Sequence, residues 1–472
     1  MEIIGTGERG ARWGRSVLLA AAIVAAGLGA GWQGAAQAYP LDGFDYTGIR
    51  RVLYSERIQT GELNRRKQPH GATLPLALVD TRLSMPGPLT MVPDPAFSRR
   101  LKDLIGDQDY AVALLDLSDP TNPVYAELNA DVKRNVGSVG KLVVAVAWFQ
   151  ALADALPDVA AREALLRDTV ITADEFVISD HHKVILYDPD AGSREFRTLR
   201  VGDRGTLWDW LDWMLSASNN AAAAMLQKET LLLDHFGAAY PPTAEQQADY
   251  FDQTTYASRG ERFQQLMNEA VTRNGMDDAL LRQGSLFTRT GKRKVEGTRS
   301  YGNVRELVSM LYRMERGELV DRWSSRELKR LMYMTQKRIR YASHPALNDY
   351  AVYFKSGSLY SCQPEEGFTC GKYMGNKLNL LASLALVEGP VAEAPDTTAV
   401  PMDYHYLVAV SSNVLRVNSA VAHQTLALRI HRMIEARHEA RLEAAKAIDV
   451  PQEGEGTGSP GEPLPPAELP LR

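Results

Sequence analysis

Apolar residues recur along this chain in two periods, and the places where the period changes divide it. Residues 110–117 and 124–128 are apolar runs of strand length, joined by the turn chemistry of Asp119-Pro120-Thr121-Asn122-Pro123. A short amphipathic helix is expected just before them, at 97–105. From Ser138 the pattern becomes helical: the apolar run Leu142 to Phe149 reads as a buried helix ending near 156, and 161–166 as a further short one. Over 206–215, Leu207, Leu211, Met214 and Leu215 share a face, and Thr206 with Asp209 makes a capping-box start. An alanine-rich helix follows at 220–233. Residues 235–260, broken by Tyr240-Pro241-Pro242, read as an insertion. Residues 261–274, 303–316 and 325–334 read as helices, and 275–302 as a loop carrying the basic cluster Lys292-Arg293-Lys294. Three more strand runs close the pattern, at 351–356, 377–387 and 406–414. A long helix at 419–445 then sets Leu426, Ile430 and Ile434 on one stripe. Two strands, a helical block, three strands and a helix predict an α+β fold. Its expected form is an antiparallel five-stranded sheet flanked by helices, with an all-helical subdomain.

The flanks read differently. Arg9, Arg12 and Arg15 precede a small-residue apolar run at 16–30, and Ala36-Gln37-Ala38 is a cleavage site of the A-x-A kind, so 1–38 is expected to be a signal peptide. An uncleaved anchor is the alternative, and no later apolar run is expected to cross a membrane. Residues 39–94, with Pro69, Pro75, Pro86 and Pro88, are expected to be an extended segment draped over the main domain, with one short helix at 46–58. The main domain spans 95–438, and 439–472 is the end of the last helix and a disordered tail rich in Pro, Gly and Glu.

Composition changes this picture little. The chain has 472 residues, 45% hydrophobic and 24% charged, with a net charge of -5. That balance, with no basic stripe interleaved with aromatics, argues against a nucleic-acid partner. A monomer is expected. The two cysteines, Cys362 and Cys370, are expected to form one disulfide in an oxidising compartment, worth about 2.5 kcal/mol by loop closure. Two thiolates with no histidine nearby make a poor zinc site, so no metal and no cofactor is expected.

The candidate chemistry begins at Ser138, three residues before Lys141, so both side chains lie on one helix face. A helix N-terminus favours an alkoxide or oxyanion, and a lysine amine whose pKa is lowered can take the serine proton. Two further motifs follow in order: Ser218-Asn219-Asn220 between two helices, and Lys355-Ser356-Gly357-Ser358 ending a strand. Here the chain resembles the serine β-lactamases and penicillin-binding proteins, whose signature is S-x-x-K, S-D-N and K-T-G in that order, and class A β-lactamases most closely. The resemblance covers roughly 95–438.

It implies a role for each residue. Ser138 is the acylated nucleophile and Lys141 its neighbouring base or proton carrier. Ser218 carries a proton to the leaving nitrogen. Asn220 binds the side-chain amide of the substrate. Lys355, Ser356 and Gly357 hold its carboxylate end, and the N–H groups of Ser138 and Ser358 form an oxyanion hole. Repulsion between the two lysines is expected to lower the pKa of at least one. The implied partner is a small-molecule β-lactam or a peptidoglycan stem peptide, and the implied location is the periplasm or outside the cell. β-Lactam hydrolysis, and with it antibiotic resistance, leads. A D-alanyl-D-alanine carboxypeptidase and a binding module without turnover are the alternatives.

Two positions depart from the family pattern. Asn219 replaces an aspartate. Gln283, Gly284 and Ser285 stand where class A enzymes carry the glutamate that activates the deacylating water, and Glu296 lies farther on. Hydrolysis of an acyl-enzyme should therefore be slow. Asp180-His181-His182 invites a metal reading, but neighbouring histidines are expected to point apart and to sit on the cleft rim.

Overall fold

The five strand-length runs pair into one sheet because each is apolar on both faces, and only a sheet covered on both sides can bury them. The computed structural model describes residues 43–59, 61–63, 83, 91–119, 121–336, 338–389 and 404–448. The expected signal peptide, much of 39–94 and the tail beyond 448 lie outside the described residues.

Helices α1 (Gly43–Thr47), α2 (Arg50–Gln59) and α3 (Pro95–Ile105) lead into the hairpin of β1 (Tyr110–Asp116) and β2 (Val124–Leu128). A 3-10 turn, Gly137–Gly140, opens α4 (Lys141–Ala155), and α5 (Val159–Asp168) follows. Short strands β3 (Val170–Thr172), β4 (Lys183–Asp188), β5 (Ser193–Thr198) and β6 (Arg204–Thr206) precede α6 (Leu207–Leu215) and α7 (Asn220–Phe236). Next come α8 (Ala244–Gln253), α9 (Tyr256–Thr272), β7 (Leu281–Arg282), α10 (Arg289–Lys294), β8 (Tyr301–Gly302), α11 (Val304–Glu315) and α12 (Arg322–Tyr333). Strands β9 (Ala351–Ser361), β10 (Leu378–Gly389) and β11 (Tyr404–Ser412) and helix α13 (Ser419–Ile448) close the chain.

The sheet order is β2-β1-β11-β10-β9, antiparallel throughout, as expected. Alternate residues of each strand go to separate cores. Ala111, Ala113 and Leu115 of β1, with Leu384, Leu386, Leu407 and Ala409, join the large core built on α4, α6, α7, α9 and α11. Val112 and Leu114, with Val408 and Val410, join the smaller core under α3 and α13. Strand β9 is an edge, and this places the site. Tyr353 belongs to the large core and Phe354 to the small one, so Lys355 faces the helical block and Ser356 the opposite side.

The structure adds detail to two expectations and corrects a third. The segment expected to drape over the domain starts as two helices, and α2 enters the core. Ile49 and Val52 are buried there, and Arg51 binds both carboxylate oxygens of Asp212 on α6 at 2.6 Å and the carbonyl of Met334. An arginine that pairs with a buried carboxylate ties its whole helix in. The insertion at 235–260 is largely helical, because Thr243 and Thr255 cap α8 and α9 with capping boxes. Residues 137–155 are long and apolar enough to cross a membrane by length and composition, contrary to expectation, but most of the stretch is buried inside the protein as α4. Pairing in the short strands β3 to β8 was not legible. The hairpin of β4 and β5 carries charged residues on both strands and owes its place to α2, where Tyr54 packs on Tyr187 and Arg57 donates to the Tyr187 hydroxyl.

Candidate active site

Ser138 sits in the 3-10 turn and Lys141 is the first residue of α4. The run from Leu142 to Phe149 is buried on every side, which fixes the helix and carries Lys141 inside with it. Lys141 Nζ lies 2.9 Å from Ser138 Oγ, 2.7 Å from the Ser218 carbonyl and 2.6 Å from Asn220 Oδ1. The last two oxygens can only accept. A neutral amine has two N–H donors, and here both are taken, so its lone pair is left for the Ser138 hydroxyl. Burial pushes Lys141 from its ordinary 10.5 down to about 7, against a pull upward from the Asp180 carboxylate. The expected lysine–lysine repulsion is not the cause for Lys141. It falls on Lys355, which is driven well down by burial first and then by the cations of Lys141 and Arg340.

Lys355 Nζ donates to Ser218 Oγ at 2.8 Å, and Lys141 Nζ approaches the same hydroxyl at 3.5 Å. Ser218 thus bridges the two amines. Its φ of 56 is left-handed, a conformation that costs a serine free energy and that the flanking helices hold in place. Asn219 caps α7 by accepting from the Ala222 N–H, and its amide donates to the His182 carbonyl, a bond an aspartate could not make.

Strand β9 passes hard against the nucleophile. A Cβ on Gly357 would lie 2.2 Å from the Val136 carbonyl and 2.3 Å from the Ser138 nitrogen, so only glycine fits. Ser358 is the next residue, and its nitrogen lies 3.1 Å from where a Cβ on Gly137 would be. The nitrogens of Ser138 and Ser358 are therefore brought side by side.

The structure also shows a residue the sequence did not reveal. Arg340, buried, donates to Ser356 Oγ at 2.7 Å and to Ser358 Oγ at 3.0 Å under the ring of Tyr373. Among the described residues no carboxylate pairs with it. Nothing local distinguishes it from Arg338, which spends its donors on the carbonyls of Leu347 and Tyr350. Cys362 and Cys370 form the expected disulfide in the loop that follows β9.

On the other side of Ser138 the neighbours are neutral. A side chain on Gly140 would strike Gln283 Oε1, 2.0 Å from its Cβ position, so the buried Gln283 amide lies against the turn of the nucleophile. Its Nε2 donates to the Ser285 carbonyl at 2.6 Å, and the Phe287 ring lies 4.6 Å from Lys141 Nζ. Glu296 is exposed and packs on Gly260 of α9 instead.

Asp180 holds the wall behind Asn220. Its Oδ2 accepts from the Asn220 and Ala221 N–H groups at 2.8 and 3.0 Å, and its Oδ1 lies 2.6 Å from His182 Nδ1. Burial opposes the charge, but the His182 hydrogen bond and the N–H donors hold Asp180 at about 2. The two histidine rings stack at 4.5 Å rather than point apart, because His182 is turned in to Asp180. Both carboxylate oxygens are occupied by donors, which suits an anchor better than a metal ligand.

Residues 96–238, which include Ser138, Lys141, Ser218 and Asn220, match the β-lactamase enzyme family. No curated protein sequence matches the chain. Among solved structures, the chain is similar to a β-lactamase from Chitinophaga pinensis DSM 2588 at 14% identity and a TM-score of 0.42, covering 73% of this chain and 99% of that one. A representative class A β-lactamase from Bacteroides cellulosilyticus DSM 14838 is similar at 17% identity and a TM-score of 0.44, with 73% and 98% covered. The chromosome-encoded β-lactamase of Vibrio parahaemolyticus is similar at 13% identity and a TM-score of 0.42, with 72% and 98% covered. The family match, on a mixed fold with this five-stranded antiparallel sheet, supports the chain's place in the serine β-lactamase and penicillin-binding protein superfamily.

Proposed function

We propose that this protein is an exported serine acyl-transfer hydrolase that opens a β-lactam amide, or the D-alanyl-D-alanine bond it mimics, through an ester on Ser138. One observation carries the reading: Lys141, at about 7, has both its neutral N–H donors occupied and its lone pair 2.9 Å from Ser138 Oγ. Lys141 takes the hydroxyl proton as Oγ adds to the carbonyl carbon. The oxyanion lies between the Ser138 and Ser358 N–H groups, each worth about 3–4 kcal/mol by precedent. The proton returns through Ser218 Oγ to the leaving nitrogen, and the C–N bond breaks. Lys355 and the unpaired Arg340 suit a carboxylate on the leaving side, and binding it would favour a proton on Lys355.

Gln283 favours a second reading, a peptidase or penicillin-binding activity with slow β-lactam turnover. A neutral amide cannot accept a proton from water at this pH, so hydrolysis of the ester lacks a base there. An intact-mass time course with benzylpenicillin, run beside Ser138→Ala, tests both. An adduct on the parent only, persisting for hours, is expected. Clearance within minutes would mean that another group activates water and that β-lactamase turnover is efficient. No adduct on a folded parent would sink the acyl-enzyme.

A further inference from the structure

Two sequence features remain outside the mechanism: the basic cluster at 292–294 and the Asp180-His181-His182 turn. The fold brings them together. Helix α10 docks on the turn: the Arg289 N–H donates to Ser179 Oγ at 2.9 Å, Thr288 Oγ1 donates to the Phe176 carbonyl at 2.8 Å, and Lys294 pairs with Glu175 at 2.6 Å. The segment starts at the reacting atoms, because Phe287 lies against Lys141, and runs outward to the surface. At that surface Arg289, Lys292 and Arg293 are exposed, with the exposed Lys183 just past His182 in the turn.

Among the described residues none of these four cations has a carboxylate within ion-pair distance. Of the acids in the turn, Glu175 is committed to Lys294 and Asp180 to N–H donors and His182, and the exposed Glu296 three residues past Arg293 offsets one charge only. A local excess of positive charge in a chain whose net charge is -5 calls for an anionic partner. Its position says which part of the partner. Arg340, Ser356 and Ser358 lie on the β9 side of Ser138, to which the family resemblance assigns the leaving group's carboxylate. Asn220, to which it assigns the acyl side chain, lies on the other side with Gln283 and Phe287, and α10 continues from Phe287.

We propose that the acyl donor carries a negatively charged group on its acyl side, read by Arg289, Lys292 and Arg293. This rests on acylation at Ser138 and names the donor's chemistry, a carboxylate-bearing acyl chain. Benzylpenicillin and its α-carboxy analogue carbenicillin differ by one carboxylate on that side, and they form the probe pair. Second-order acylation constants are measured for the parent and for Arg289→Gln/Lys292→Gln/Arg293→Gln, which leaves the pair Lys294–Glu175 intact. The carbenicillin-to-benzylpenicillin ratio is expected to fall about tenfold in the triple variant, with benzylpenicillin unchanged, and the parent's ratio to fall as salt is raised to about 0.5 M. An unchanged ratio, or equal slowing of both donors, overturns the proposal. The same pair is titrated calorimetrically into Ser138→Ala, where no covalent step occurs. Tighter binding of carbenicillin there, lost in the triple variant, upholds the rim even if the parent never acylates. Equal affinities overturn it independently of the acyl-enzyme.

Discussion

Four lysines are buried among the described residues, and they fall into two regions with opposite behaviour. Lys141 and Lys355 face Ser218 at the edge strand. Lys329 lies deeper against the same sheet, 2.8 Å from Glu388 and 2.8 Å from Glu315, with Nζ 4.7 Å from the ring centre of Tyr353, two residues before Lys355 on the same face of β9. Lys228 pairs with Asp174 and Glu229. All four are 3% exposed or less, so burial does not separate them. Their partners do. Burial lowers Lys141 and Lys355, which hydrogen-bond only carbonyl, amide and hydroxyl oxygens, and it frees the neutral amine, for Lys141 at about pH 7. Burial pulls Lys329 and Lys228 the same way, but their carboxylates outweigh it and raise both. A buried lysine is a base or a structural cation according to whether its nearest oxygen carries charge.

Replacing one lysine of each kind by methionine should separate the two roles. Lys141→Met is expected to cut acylation of Ser138 by about 10³-fold, the scale of a lost general base, with a small change in stability. Lys329→Met is expected to cost about 3–5 kcal/mol of stability, because two buried carboxylates lose their cation. Stopped-flow acylation and urea denaturation measure these. The pH dependence of stability should also differ in sign. Unfolded Lys141 holds a proton that the folded form releases near 7, so its contribution is full above 10.5 and is lost as pH falls from 10.5 to about 7. Lys329 is raised, so its contribution is full below 10.5 and is lost as pH rises from 10.5 through its folded pKa. Equal loss of acylation in both variants, at equal stability, would break the distinction.

A subtler change should move Lys141 from one class to the other. Asn220 stands between the amine and the Asp180 carboxylate: its N–H bonds Asp180 and its Oδ1 accepts from Lys141. Asn220→Asp puts a charge 2.6 Å from the amine. The rising limb of the acylation pH profile, expected near 7 in the parent, should then move up by about 1–3 units, cutting the rate at pH 7 by about 5- to 500-fold. A limb that stays near 7 would mean that Lys141 is not the base.

How far the sequence reached follows the same physics. The five strands and the buried helix after Ser138 were legible because period and apolarity are local, and the three motifs because their spacing is local. Arg340 was not: its role comes from a left-handed turn and from two serines on a strand that begins eleven residues later, and nothing around it differs from Arg338. Which of the two lysines the repulsion falls on was not legible for a related reason. Two lysines in one site suggest repulsion, but the depth of α4 in the core is set by packing across the whole molecule. Gln283 was legible only through the family resemblance, and the fold adds that its amide abuts Gly140.

That contact allows the smallest of these changes and the one that tests the neutral side of the site. Gln283→Glu keeps the shape of the side chain and replaces an amide with a carboxylate beside the turn of Ser138. In the parent the acyl ester has two amines on the acylation side and no base on the other, so it should form readily and clear slowly. With a carboxylate there, water gains an acceptor, and clearance of the benzylpenicillin adduct should quicken by about tenfold, less than the full effect of an optimally placed base because the position is buried and its pKa will be raised. The acid would also stand near Lys141, so acylation at pH 7 should slow by a few-fold at most. An adduct that lasts as long in Gln283→Glu as in the parent, while acylation still proceeds, would place the barrier to hydrolysis elsewhere, in the access of water to the ester rather than in the lack of a proton acceptor.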